Sequence, residues 1–441
     1  MTTHRDFEDT NRHFSHSHSR HLLQLTFFSV VVVAVFPYTN GRLFDPSLPE
    51  FTSENAKEYA CGCFNGNLAA QGPQVKATDG CDATGAPGYY REGISSGSYL
   101  AVMDPSTDFY QHKLANVSTQ VVATVGVEGL YLDELGTSHA LRCFEGASSN
   151  SGGGGGSGWA SGTRKMLTMV RSATKAASRG GQPVPIISES MNEQYLGLVP
   201  LNLAIYNHEF TSHCTSVPAY QAVYGGWAIN VGDNRFPWSS RAHRMQNNWV
   251  EQQRVFLAQS FVEGQVMGWM ALEELAMWMN NVSHAPDMDF FRTLCQLRMA
   301  AAKFLVHGRL WRPPVVRALM PPGAPIPTTM ACDFGTFGST AAINPALCCN
   351  VSNALVHAWT SQNATELAAV AANHGMLTLM VEVDVALPSA LLSVKGLVGR
   401  SVGGGSPTTV PTTRSADGKS TRLVLKLLPR SASVFELVAS S

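Results

Sequence analysis

The chain has 441 residues, 44% of them hydrophobic and 14% charged, with Lys+Arg at 31 against Asp+Glu at 32 and a net charge of -1. That balance excludes a global field that would recruit nucleic acid or an anionic membrane surface, and it suits a neutral partner. The length is generous for one domain and predicts a large domain with an appendage.

The first forty residues read as lying outside the fold. A polar stretch with five histidines and Arg5, Arg12 and Arg20 precedes an apolar run from Leu22 to Phe36. Such a run is short for a spanning helix, which needs about 20 residues, and suits a signal-peptide core of about 7–15. The long basic leader, with no small-x-small cleavage site after Phe36, keeps a signal anchor open, with residues 22–36 in the membrane. Four sequons, at Asn116, Asn281, Asn350 and Asn363, agree with entry into the secretory route, as do nine cysteines. The chain is therefore expected to be secreted, or anchored through that hydrophobic segment. Neither Cys61-x-Cys63 nor the adjacent Cys348-Cys349 has zinc-site spacing, and the disulfide connectivity is not readable.

From Tyr99 onward, short apolar runs alternate with helical stretches. Tyr99–Asp104 reads as a strand, Leu114–Val125 as an amphipathic helix and Gly129–Asp133 as the next strand. A glycine-rich loop, Gly152–Gly158, leads to a helix near Thr163–Ser178 and the strand Pro185–Glu189. Further strands are predicted at Asn202–His208, Gln221–Val231 and Gln265–Trp269, and a helix carries Phe291, Leu294, Leu297, Ala301, Phe304 and Leu305 at spacings of three and four. Strands alternating with helices imply a parallel sheet. In the tail, Leu379, Val381, Val383 and Val385, then Leu423, Leu425 and Leu427, repeat with period two, the mark of antiparallel strands with one buried face.

The expected architecture is thus α/β: a (β/α)8 (TIM-like) barrel over residues 42–310, after a leader at 1–41 and before a small antiparallel β-sandwich at 311–441. Arg42–Ser98 supplies at most two βα units, so the barrel is either shortened there or lacks an early exon. In a barrel, alternation along Gly129–Asp133 turns Tyr131 and Asp133 inward and Leu130 and Leu132 toward the helices. Ile187 and Glu189 repeat the arrangement on the next strand. Two acids would then close neighbouring strands at the C-terminal mouth, where barrel active sites lie.

Such a pair divides the work of glycoside hydrolysis, Asp133 attacking the anomeric carbon and Glu189 protonating the leaving oxygen, and neighbouring strands favour the short separation of a retaining enzyme. Aromatic rings at inferred strand ends offer sugar-stacking faces, so Tyr131, Trp159, Tyr195, Tyr224 and Trp269 join Asp104, Glu193 and His208 as candidate substrate-binding residues. The competing reading makes both acids loop caps or partners of Arg142 or Arg298, and Asp104 a turn aspartate ahead of Pro105. The glycine run Gly152–Gly156 lacks the lysine a P-loop needs, and no Gly-x-Ser-x-Gly elbow sits between a strand and a helix.

Met103-Asp-Pro105, Gly126-Val-Glu-Gly-Leu-Tyr-Leu-Asp-Glu134, Cys143 with the glycine-rich loop and Trp159, Ile187-Ser-Glu189 with Asn192-Glu193, Val223-Tyr-Gly225 and Arg298–Pro314 together resemble an uncharacterised glycoside-hydrolase-like barrel family. That family is distantly similar to endo-α-N-acetylgalactosaminidases, retaining enzymes with an aspartate nucleophile and a glutamate acid/base. The resemblance implies these roles for Asp133 and Glu189. Two departures stand out: Val127-Glu128-Gly129 replaces the usual Val-Asp-Gly, and Phe144-Glu-Gly-Ala-Ser-Ser replaces a histidine-containing stretch. The expectation is a retaining glycosidase acting on an oligosaccharide or glycoconjugate without cofactor or metal. The alternatives are a carbohydrate-binding pseudoenzyme and a structural surface glycoprotein.

Overall fold

The structure is a computed structural model that describes residues 35–61, 80–81, 90–93, 99–135, 157–189, 192–204, 218–233, 249–268, 279–319, 325–332, 348–403 and 408–439. The leader through residue 34, and with it nearly all of the apolar run, lies outside the described residues.

The fold begins earlier than the sequence suggests. Tyr38–Asn40 forms strand β1, hydrogen-bonded in parallel to β6 (Leu130–Asp133) with Tyr38 opposite Tyr131 and Asn40 opposite Asp133. A leader ending at residue 41 is therefore corrected. Gly129 makes room for this segment, since a Cβ there would lie 2.0 Å from the Phe36 ring. After β1 the Asn40 side chain accepts from the amides of Arg42 (2.9 Å) and Leu43 (2.8 Å), turning the chain out of the sheet.

That turn sends β2 (Leu43–Phe44) into a separate antiparallel sheet with β3 (Gly80–Cys81), β4 (Tyr90–Gly93) and β5 (Tyr99–Val102), in the order β2-β5-β4-β3. Tyr99–Val102 was expected as a parallel barrel strand. Its neighbours are instead Leu43–Phe44 and Tyr90–Gly93, both antiparallel to it.

The parallel sheet continues through β7 (Ile186–Glu189), β8 (Leu201–Ala204), β9 (Ile229–Asp233) and β10 (Val266–Gly268). Its order is β1-β6-β7-β8-β9-β10, every pair parallel. Among the described residues it is six-stranded with β1 and β10 at its edges, so an α/β sheet in barrel-like strand order is present where a closed (β/α)8 barrel was expected. Gln221–Val231 is not one strand. Helix α4 (Ala219–Tyr224) occupies its first half, with Tyr220 and Tyr224 one turn apart and their rings 4.9 Å from each other.

Helices α2 (Asp108–Val125) and α3 (Ser157–Ala177) cover one face of this sheet. Thr107 caps α2 by accepting from the Tyr110 amide, and Gly126 ends it at φ +70°. Leu130, Leu132 and Ile186 bury against Leu114, Val122, Met166 and Val170 in one core. The expected facing of β6 holds: its leucines meet the helices.

The C-terminal sheet begins at β11 (Arg309–Leu310), just before the expected boundary at 311. It contains β12 (Val315–Ala318), β15 (Ala354–Thr360), β16 (Leu367–Asn373), β17 (Leu379–Ala386), β18 (Leu397–Ser401), β19 (Thr409–Arg414), β20 (Ser420–Leu427) and β21 (Ser431–Ala439). The order is β11-β15-β16-β21-β18-β19-β20-β17-β12. The expected sandwich is corrected to one continuous antiparallel sheet curled over itself. Paired β18 and β19 carry the hydrogen bonding from one layer to the other, and Val356, Ala369 and Leu437 pack with Val381, Val383 and Leu425 between the layers. Period two survives along β17, whose residues alternate strictly between buried and half-buried.

Helices α5 (Trp249–Val262) and α6 (Ala285–Ala300) join the two sheets. Trp359 of β15 is fully buried there and donates its indole N–H to the Val262 carbonyl at 2.8 Å.

Candidate active site

Tyr131 pairs with Ile187 across β6 and β7. Two residues beyond that pair each strand ends on an acid, Asp133 on β6 and Glu189 on β7. Asn40 flanks Asp133 on one side and Leu203 flanks Glu189 on the other. The two acids therefore end neighbouring strands at the C-terminal edge of the sheet. Strand β9 ends on an acid as well, Asp233, paired with Gly268.

Three donors hold the Asp133 carboxylate. Tyr38 donates its hydroxyl to Oδ2 at 2.5 Å, Tyr131 donates to Oδ1 at 3.1 Å, and the Glu134 amide donates to Oδ1 at 2.9 Å. The last bond is made possible by a left-handed backbone at Glu134, φ +60°, a conformation that costs a non-glycine residue on the order of 1–3 kcal/mol. Glu134 also faces the Arg42 guanidinium at 3.6 Å. Asp133 is 8% exposed, whereas Tyr38 is 60% exposed with its hydroxyl turned inward to the acid. The two phenol rings meet edge to face, centroids 5.4 Å apart.

Withdrawal of its inward-turned hydroxyl from water, followed by the hydrogen bond to Asp133, raises the Tyr38 phenol above its usual range. Burial also raises Tyr131, followed by the negative charges of Asp133 and Glu189. Both therefore stay protonated and donating across the physiological range. That Glu189 acts electrostatically on Tyr131 agrees with the register.

The other expected site residues divide. Asp104 is buried and its Oδ1 accepts from the Ser106 amide at 2.8 Å, which makes it a turn-former ahead of α2 rather than an open sugar contact. Trp159 is corrected from a stacking platform to a core residue: it is 7% exposed and lines a void of about 10 Å³ with Tyr110 and Met166. Tyr195 is likewise buried in the core, and burial raises its phenol. Glu193 and Tyr224 do come together, the phenol donating to Glu193 Oε2, on the Glu193–Tyr195 turn and helix α4. His208 and Trp269, like Cys143 and the glycine-rich loop through residue 156, lie outside the described residues. Sequence reading missed Tyr38, although Tyr38-Thr-Asn-Gly41, a β-prone pair before an Asn-Gly turn, carries a usable signal.

Residues 28–236 match a family described as "Domain of unknown function (DUF6259)". Over 302 residues the chain is 27% identical to "Putative glycoside hydrolase 22789" of Monosiga brevicollis, covering 64% of this chain and 23% of that protein. Over 206 residues it is 24% identical to a "Putative glycoside hydrolase" of Bacteroides thetaiotaomicron, covering 46% of this chain and 26% of that protein. The chain resembles glycoside hydrolases in sequence. It spans about a quarter of the length of these relatives. The crystal structure of an alpha-amylase from Geobacillus thermoleovorans complexed with acarbose overlaps at TM-score 0.49 and 11% identity, covering 92% of this chain and 78% of that one, an overlap too loose to bear on function.

Proposed function

We propose that this chain is a retaining glycoside hydrolase acting on an oligosaccharide or glycoconjugate, with Asp133 as nucleophile and Glu189 as acid/base. The observation that supports the reading is that each acid is the last residue of its strand, on two neighbouring parallel strands. Sequence similarity to proteins named glycoside hydrolases supports it. An Asp133 oxygen attacks the anomeric carbon as the bond to the leaving oxygen breaks and Glu189 gives that oxygen its proton; Glu189 then takes a proton from water, which attacks the same carbon and frees Asp133. Tyr38 and Tyr131 fix the carboxylate in one orientation throughout. The resemblance to endo-α-N-acetylgalactosaminidases makes an α-linked N-acetylgalactosamine the first sugar to try. The test is release of 4-nitrophenol by the full chain from a panel of 4-nitrophenyl glycosides, that sugar included; a panel without turnover overturns the reading.

The proposed location is the secretory route, free or anchored through residues 22–36. Cys61 and Cys349 are each disulfide-bonded, and all four sequon asparagines are exposed. Expression in a secretory host should give a chain whose mass falls on enzymatic deglycosylation; an unchanged mass in secreted material argues against that route.

A second reading, a carbohydrate-binding pseudoenzyme, rests on the fact that both Asp133 oxygens already accept from protein donors. It expects glycan binding that persists in Asp133→Asn, with no hydrolysis by the parent.

A further inference from the structure

A sheet covered on both faces presents apolar rows to its helices. The helix-facing row of this sheet starts that way at Leu132 and then turns polar. Ser188, Asn202 and Asn230 are successive cross-strand partners on β7, β8 and β9, exposed by only 2%, 3% and 1%. The pairing of Val231 with Val266 places Gln265, fully buried, next in the row.

Helix α4 closes over these side chains. Asn230 donates Nδ2 to Gln221 Oε1 at 2.6 Å. Tyr220 turns its hydroxyl toward Asn202, and burial pushes that phenol up to about 12. Five buried polar atoms nevertheless have no hydrogen-bond partner among the described residues: Ser188 Oγ, Asn202 Nδ2, Asn230 Oδ1, Tyr220 Oη and Gln265 Oε1. Folded chains pair nearly all such groups, because a dry unpaired one is destabilising.

We infer that the Ser188–Asn202–Asn230 row, roofed by Tyr220, is a binding site for internal water. The chemistry selects the ligand. Asn202 Nδ2 only donates, Asn230 Oδ1 and Gln265 Oε1 only accept, and the two hydroxyls do either. A cation has nothing to offer the amide N–H and an anion nothing to offer the carbonyls, whereas water satisfies both and typically makes about three bonds in such a site. The row lies on the face opposite Asp133 and Glu189, so its water is not the one consumed in hydrolysis. It ties β7, β8 and β9 together through Ser188, the residue that precedes Glu189, and its existence does not depend on the proposed activity.

The test is a crystal structure of the full chain at a resolution that shows ordered solvent, paired with ¹⁷O magnetic relaxation dispersion in solution. The expected result is at least one water within hydrogen-bond distance of three of the five atoms, and a slowly exchanging water signal that weakens in Ser188→Ala, a substitution that removes one hydroxyl with little change in packing. Direct pairing of these side chains with no solvent between them overturns the inference, and so does a dispersion profile that Ser188→Ala leaves unchanged.

Discussion

Tyr38 and Asp133 stand 95 positions apart in the chain and 2.5 Å apart from hydroxyl to carboxylate. The bond links the first strand of the parallel sheet to the acid that closes the next, so the N-terminal segment takes part in the candidate site. A hydrogen bond to a charged group contributes about 1.5–3 kcal/mol. Tyr38→Phe should therefore lower kcat/KM about ten- to a hundredfold and lower folding stability by up to that amount, read as a fall in melting temperature. Steady-state kinetics on the best 4-nitrophenyl glycoside reads this out; unchanged kinetics would reduce Tyr38 to a bystander.

Replacing the acids separates chemistry from folding. Asp133→Asn keeps the shape of the side chain and Glu189→Gln removes only the proton donor, so each should cut turnover at least about a hundredfold with little loss of thermal stability. Full activity in either variant, measured with circular dichroism as a folding control, removes that residue from the mechanism.

The junction of the two sheets rests on a buried ion cluster. Asp287, 2% exposed, accepts from Arg254 at 2.9 Å and faces Arg430 at 3.3 Å. Asp287→Ala removes this partner from both guanidiniums, leaving Arg254 to the exposed Glu251 at 3.3 Å, and breaking a buried pair in this way costs about 3–5 kcal/mol. Urea denaturation should show a loss of that order; a change under about 1 kcal/mol would mean that solvent already screens the cluster.

His374 gives the fold an acid sensitivity. Burial, with the nearby Arg254 charge, lowers its pKa from 6.5 to about 4, and its Nε2 faces the Ser352 carbonyl at 2.9 Å. Between these values the unfolded chain binds the proton and the folded chain does not, so stability falls as pH drops from about 6.5 toward 4. Comparing His374→Gln with the parent at pH 7 and pH 5 should show a shallower loss in the variant; identical slopes would assign the acid sensitivity to other groups.

Much of the site was legible because alternation is local. Tyr131 with Asp133, and Ile187 with Glu189, follow from period two and a strand end, and the structure keeps both pairs together on one face. Tyr38 escaped because its strand is three residues long and follows an apolar run that looks like a leader. The direction of Tyr99–Val102 was illegible, since no residue in a strand states whether its partner runs parallel. Ala219–Tyr224 deceived because an apolar-aromatic hexamer fits strand and helix equally, and what settles it is tertiary: Gln221 reaching Asn230. Trp159 and Tyr195 show the same limit, because a ring near a strand end is placed in core or cleft by what packs on it. The tail's alternation was plain, while the curl that makes one sheet of two layers depends on the pairing of β18 with β19.

The central claim is tested most directly by trapping the nucleophile. Incubation of the full chain with activated fluoroglycosides, followed by proteolysis and mass spectrometry, should place one glycosyl adduct on the peptide containing Asp133, and Asp133→Asn should show none. An adduct on any other carboxylate, or turnover of the same reagents by Asp133→Asn at the parental rate, would contradict the account.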